Sequence, residues 1–181
     1  MAPELTARNF AELTRPHWAR MHRFAARLCR DPECAADLVQ EALLRALKNC
    51  RQYDGKKSIA PWLLAIVRNV NFDQVRAGGR KREDPIVDED LISDAQPDSL
   101  AKALTTERTG RLEEHLMSIP DEFREVLLLI AVEELTYEEA AYVTGAPVGT
   151  VRSRLFRARA MLRKRLADDR ELFDRDGRMS K

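Results

Sequence analysis

Apolar residues recur along this chain at intervals of three and four, and alternation of apolar with polar positions is nearly absent, so the pattern predicts an all-α fold. Trp18, Met21, Phe24, Ala25 and Leu28 mark one face of a helix running from Pro16 to Arg30. Asp31-Pro32 then supplies a cap residue followed by a proline suited to the first helical turn. The helix it opens turns Ala35, Leu38, Val39, Ala42, Leu43, Ala46 and Leu47 toward a core. Cys50 to Lys57, with Asp54-Gly55, reads as a loop. Ser58 caps a third helix from Ile59 to about Ala77, with Pro61 in its first turn and Gly78-Gly79 at its end. Residues 10–77 are thus expected to form one compact helical module.

Residues 78–110 break the pattern. They hold Gly78-Gly79, the basic Arg80-Lys81-Arg82, an acidic run with Pro85 and Pro97, and little apolar periodicity. Such a segment cannot bury enough apolar surface to offset the entropy of ordering, so a flexible acidic linker is predicted. A second module over 111–168 opens with Leu112, Leu116 and Ile119 before Pro120, and Asp121 is placed to cap a helix striped by Phe123, Val126, Leu127 and Ile130. Thr136-Tyr137-Glu138-Glu139 is a capping box; Gly145 ends the short helix it opens, and Ala146-Pro147 starts another through roughly Arg165. Ala141 as a small crossing residue, Gly145 as a turn residue tolerant of positive φ, and Val151 as an apolar anchor stand at helix-turn-helix intervals. Residues 169–181 remain as a short tail.

Composition adds little to this picture and charge adds a good deal. The 181 residues carry 31 Lys and Arg against 30 Asp and Glu, a formal net charge of +1. The charges are nevertheless segregated: Val148 to Leu166 has seven bases and no acid, and Glu83 to Asp98 has seven acids and no base. On the last helix Val151, Leu155, Ala158 and Leu162 take the core side, which leaves Arg152, Ser153, Phe156 and Arg157 on a neighbouring face. A basic face with a hydroxyl and a ring suits a DNA major groove, where arginine reads guanine bidentately and apolar groups meet thymine methyls. On the second helix Asp37, Gln40, Glu41, Leu44 and Lys48 form a stripe opposite the core stripe. A mixed face of this kind looks like a partner surface; the alternative is that Leu44 packs beneath the N-terminal segment.

The longest apolar stretches, Ile59 to Val67 and Val126 to Val132, fall far short of the ~20 residues of a membrane span, and the start is polar; a cytoplasmic protein without membrane contact is expected. Cys29, Cys34 and Cys50 are odd in number and lack paired Cys-x2-Cys spacing, which predicts buried, inert thiols in place of a metal site. No Gly-rich phosphate loop, nucleophile elbow or His-Glu metal motif is present. A binding protein without cofactor, not an enzyme, is the expectation.

In Asp37-Leu38-Val39-Gln40-Glu41, in Pro61-Trp62-Leu63 with Ile66, Arg68 and Asn69, in Asp73 to Arg76, and from Leu135 to Ala141 through Pro147 to Arg154, the chain resembles bacterial RNA polymerase sigma factors of the sigma-70 family. It is similar in particular to the extracytoplasmic-function (ECF) type, which keeps only the second and fourth conserved domains. The resemblance covers about residues 16–77 and 111–166 and implies that 10–77 is sigma domain 2 and 111–168 is sigma domain 4 with its helix-turn-helix. It further implies that the helix bearing Asp37, Gln40, Glu41 and Leu44 docks on core RNA polymerase. The loop with Lys56 and Lys57, and the helix with Trp62, Arg68, Asn69, Asp73 and Arg76, would open and read the minus-10 promoter element. Thr150, Arg152, Ser153, Phe156 and Arg157 would read the minus-35 element. Core RNA polymerase, promoter DNA and an anti-sigma factor are the partners so implied. Trp62, in the first turn of an apolar helix, also fits a core position.

Two other functions compete. A stand-alone helix-turn-helix regulator would carry a receiver or ligand pocket, and the N-terminal module shows no βα alternation for one. A sigma mimic that titrates an anti-sigma factor needs no basic recognition face, which this chain retains.

Overall fold

The computed structural model describes residues 5–29, 31–53, 55, 58–77 and 109–176. Lys56, Lys57 and residues 78–108 of the expected linker lie outside the described residues, as do 177–181. Among the described residues every regular element is helical. They group into two compact units, 5–77 with 138–146, and 109–137 with 147–176.

In the first unit α1 (Phe10–Thr14) passes through a 3-10 turn (Arg15–His17) into α2 (Trp18–Cys29), followed by α3 (Pro32–Lys48) and α4 (Ile59–Ala77). The boundaries follow local chemistry. The Asp31 carboxylate accepts the Glu33 N–H at 3.0 Å with Pro32 at the start of α3, and Ser58 Oγ accepts the Ala60 N–H at 3.4 Å ahead of α4. α2, α3 and α4 pack pairwise, and Met21, Phe24, Ala25, Leu38, Ala42, Ala46, Leu63, Val67 and Val70 are fully covered between them. The apolar stripe of α3 is wider than the surface its neighbours cover: Leu43 is only half-buried and Leu47 is 38% exposed, contrary to expectation. Both lie on the flank of the line Ala35, Leu38, Val39, Ala42 and Ala46, which α2 and α4 close over. Trp18 likewise stands at the rim, 36% exposed, its indole N–H donating to Thr14 Oγ1 at 3.3 Å.

In the second unit α5 (Thr109–Met117) and α6 (Asp121–Leu127) both pack on α8 (Val148–Asp176); α7 (Tyr137–Thr144), which falls with the first unit except for Tyr137, precedes α8 in the chain. Leu112, Leu116, Ile119, Phe123, Val126 and Leu127 meet the α8 line of Val151, Leu155, Ala158 and Leu162, all buried. α6 runs on through a π-helical turn (Leu128–Val132), in which the Glu133 N–H reaches back to the Leu128 carbonyl at 2.9 Å. The extra residue per turn shifts the apolar stripe, so Leu128 and Leu129 are covered while Ile130 is only part-buried. Glu134, at φ +52°, ends this turn and lets the Leu135 N–H close on the Leu129 carbonyl at 3.0 Å. Two boundaries differ from the sequence expectation. Pro120, not Asp121, holds the cap position of α6, and α8 continues past Arg165 through Asp176. No glycine or proline interrupts the sequence between Gly149 and Gly177, so nothing in it stops the helix earlier.

Asp121 is instead engaged by Arg124, which is 1% exposed. Its guanidinium donates to Asp121 Oδ1 at 2.6 Å and to the carbonyls of Ile119 at 2.9 Å and Met117 at 3.4 Å, so it satisfies the backbone oxygens left open where α5 ends. Removing a buried charge partner costs more than a packing defect of the same volume, because the acceptors stay buried without donors. The three cysteines are not uniformly buried: Cys50 is, while Cys29 and Cys34 are partly exposed. The Cys29 thiol donates to the Ala25 carbonyl at 3.0 Å, and burial together with the adjoining Cys34 thiol pushes its pKa up to about 11. Among the described residues no cluster of three or more His, Cys, Asp or Glu side chains is placed to hold a metal ion.

Arg124→Ala is expected to lower stability by about 3 kcal/mol in urea unfolding, whereas Arg163→Ala on the exposed side of α8 should change it by less than about 0.5 kcal/mol. For Cys29 the raised pKa sets the thiolate fraction near one in a thousand at pH 8, so alkylation followed by mass spectrometry should run roughly a hundredfold slower there than for a free cysteine and climb about tenfold per pH unit toward pH 11.

Candidate nucleic-acid interface and partner surface

On α3 the 3.6-residue repeat separates two faces. While Ala35, Leu38, Val39, Ala42 and Ala46 are covered, Asp37, Gln40 and Lys48 are exposed, Glu41 is half-buried and Leu44 stands 53% exposed. Leu44 is therefore not packed away, and exposed Leu47 enlarges the apolar part of the face. Glu41 is not a loose charge: its Oε1 accepts the Arg45 Nε–H at 2.7 Å.

On the outer half of α4, Asn69, Phe72, Asp73 and Arg76 are exposed and Arg68 is half-buried. The structure brings these side chains to one end of the helix and sets Trp62 apart from them. Trp62 is 8% exposed and packs on Tyr53, ring centroids 5.6 Å apart and planes tilted by 43°, so it serves the core beneath the loop and offers no surface to a base. Asp73 is bound across the helix pair to Arg45, whose guanidinium pKa is raised by the hydrogen bonds to Asp73 first and Glu41 second. No periodicity in the sequence marks that pairing.

α7 opens directly after Thr136, as the capping box requires, and ends at Thr144, whose hydroxyl donates to the Ala140 carbonyl at 2.8 Å. Gly145 follows at φ +66°, with open space where a Cβ would stand, so glycine is needed there for its backbone conformation and not for close approach. Ala140 is the fully buried small residue of α7, while Ala141, expected in that role, is part-exposed. The Val151 N–H bonds the Pro147 carbonyl at 3.0 Å and seats the first turn of α8. From that turn Arg152 and Phe156 are exposed, and Thr150, Ser153 and Arg157 half-buried, beside the fully covered Val151 and Ala158. The Ser153 hydroxyl donates to the Thr150 carbonyl at 3.0 Å, which leaves its oxygen as an acceptor toward a ligand. Arg152 lies over the Tyr137 ring, 5.3 Å from its centroid, a cation–π contact near the start of α8. Arg45, Phe72 and Tyr137 are the contributors that sequence reading passed over. Phe72 alone had a legible signal, an aromatic residue off the apolar line of its helix.

This arrangement, a solvent-facing mixed helix, a polar and aromatic helix end, and a basic helix behind a glycine turn, corresponds to known proteins. The model of Sigma-70 region 2 matches residues 13–81, and that of Sigma-70, region 4 matches residues 109–162. The ECF RNA polymerase sigma factor SigE of Mycolicibacterium smegmatis is 35% identical over 160 residues, spanning 88% of this chain and 62% of that protein. The corresponding factor SigM of Bacillus subtilis is 31% identical over 144 residues, 79% of this chain and 86% of that one. Among solved structures, the sigma factor RpoE in complex with the anti-sigma factor NepR from Bartonella quintana shares the fold at a TM-score of 0.69 and 28% identity, covering 88% of this chain and 97% of that one. CnrH in complex with the cytosolic domain of CnrY superposes at a TM-score of 0.65 and 25% identity, over 90% of both chains. With both region models matched in chain order and relatives above 30% identity along most of its length, this chain belongs to the sigma-70 family, within its ECF group.

Proposed function

We propose that the chain is an alternative sigma factor, a cytoplasmic promoter-specificity subunit that binds core RNA polymerase and performs no catalysis of its own. The observation that carries this function is the separation of faces on single helices: α3 and α8 each bury one stripe and hold a chemically distinct second stripe in solvent. Asp37, Gln40, Glu41 and Leu44 form the polymerase-docking face. Arg68, Asn69, Asp73 and Arg76, with exposed Phe72 among them, form the minus-10 face, where cations guide a single strand and an aromatic ring can stack an unpaired base. Lys56 and Lys57 extend the cationic path by their sequence position. Thr150, Arg152, Ser153, Phe156 and Arg157 form the minus-35 reading face, entering a major groove from the start of α8.

An anti-sigma factor is the proposed regulator, since all three faces carry an exposed apolar side chain, Leu44, Phe72 and Phe156, and the sigma factor RpoE was solved with such a partner. No helix among the described residues is long and apolar enough to cross a membrane. The decisive experiment is transcription from a randomised promoter library by core polymerase with and without this chain. Enrichment of paired minus-35 and minus-10 sequences only in its presence supports a sigma factor; DNA binding without polymerase-dependent initiation points to a stand-alone regulator, and neither activity points to a mimic.

Arg157→Ala and Arg152→Ala should each weaken binding to the selected minus-35 duplex by about 1–3 kcal/mol while leaving scrambled duplex little changed. Arg163 lies about 16 Å farther along α8 than Arg152 at 1.5 Å per residue, so Arg163→Ala should weaken both duplexes alike; fluorescence anisotropy on the paired duplexes checks all three. Glu41→Lys should lower affinity for core polymerase at least about tenfold in a binding titration, because it reverses a charge on a docking face, without altering minus-35 duplex binding.

A further inference from the structure

Arg45 connects two surfaces to which the proposed function gives different partners. Its Nε–H donates to Glu41 Oε1 at 2.7 Å, one turn back on α3, and its Nη1 donates to Oδ2 of Asp73 on α4, 28 residues away in the chain. Side-chain exposures of 38% for Arg45, 43% for Glu41 and 55% for Asp73 put the whole network at the solvent boundary. A solvent-facing ion pair contributes little to stability, so holding the fold together does not account for it. What it changes is the local field. Asp73 stands among exposed Asn69, Phe72 and Arg76, where a bare carboxylate would repel the phosphate backbone of any strand laid along α4.

We infer that Arg45 is a positioning residue for promoter opening: by compensating and orienting the Asp73 carboxylate it presents the outer half of α4 to DNA as a net cationic surface. Arg45 itself touches neither DNA nor polymerase in this role. The inference rests on the assignment of α4 to the minus-10 element. It also separates Asp73 from its neighbours, because a carboxylate committed to Arg45 by one oxygen is a tuned charge and not an independent base reader.

The test uses the full chain with core polymerase on a promoter taken from the library, with opening followed by a fluorescent base analogue in the minus-10 strand and polymerase affinity measured separately. Arg45→Met keeps the aliphatic stem and the helix propensity but removes the charge. It should slow opening about tenfold at low salt, less at high salt where phosphate repulsion is screened, and shift polymerase affinity by less than about threefold. Asp73→Asn added to Arg45→Met removes the exposed charge and should restore opening to within about twofold of the unsubstituted protein. A merely structural bridge would show a lowered melting temperature and no such rescue, which overturns the inference. Opening by Arg45→Met at the unsubstituted rate overturns it as well, and a double variant slower than Arg45→Met alone would make Asp73 a direct base contact. Failure of the unsubstituted chain to open any promoter would instead overturn the sigma-factor function on which the inference rests.

Discussion

One constraint governs both units: each long helix must bury a single stripe completely, because units of this size have little apolar surface to spare. On α8 the line Val151, Leu155, Ala158 and Leu162 is covered by α5 and α6, and on α3 the line Ala35, Leu38, Val39, Ala42 and Ala46 is covered by α2 and α4. Covering one leucine contributes on the order of 2 kcal/mol, so the rotation of each helix about its own axis is fixed by its core stripe. Everything on the opposite side is then presented to solvent at a set angle. Buried Val151 beside Arg152, buried Leu155 two positions before Arg157 and buried Ala42 beside Glu41 set the direction in which each of these charged side chains faces.

Two arginines show how differently the same group acts at different depths. Arg124 is fully covered and spends its donors on the Met117 and Ile119 carbonyls and on Asp121, so its role is to complete the join between α5 and α6. Arg45 is half in solvent and bridges two carboxylates on neighbouring helices. Desolvation makes the loss of the first costly, while solvent screening makes the second nearly neutral for stability and leaves it available to shape a charged surface.

The helix-turn-helix depends on backbone geometry at one residue. Gly145 adopts a left-handed conformation that a side chain would strain, and the chain can then leave α7 and begin α8 after a single proline-led turn. Tyr137 at the start of α7 and Arg152 near the start of α8 meet as ring and guanidinium, a contact that limits the freedom of the Arg152 side chain.

The amino-acid sequence by itself determined whatever depends on neighbours within one helical turn. Asp31 and Ser58 cap where they were expected to, Gly145 turns the chain, and the 3.6-residue repeat assigns Leu38 and Leu155 to the core and Glu41 and Arg152 to the surface. Tertiary structure decided where a broad apolar stripe stops being covered, leaving Leu47 exposed while Trp62 is buried on Tyr53. It also decided that the Arg45 guanidinium meets Asp73, 28 residues on, that Arg124 turns back to the end of α5, and that Pro120 takes the cap position of α6 expected for Asp121. The physical reason is range: caps and turns are satisfied by atoms the chain carries a few residues away, but coverage and charge pairing are settled only when another helix, distant in sequence, arrives at a particular crossing.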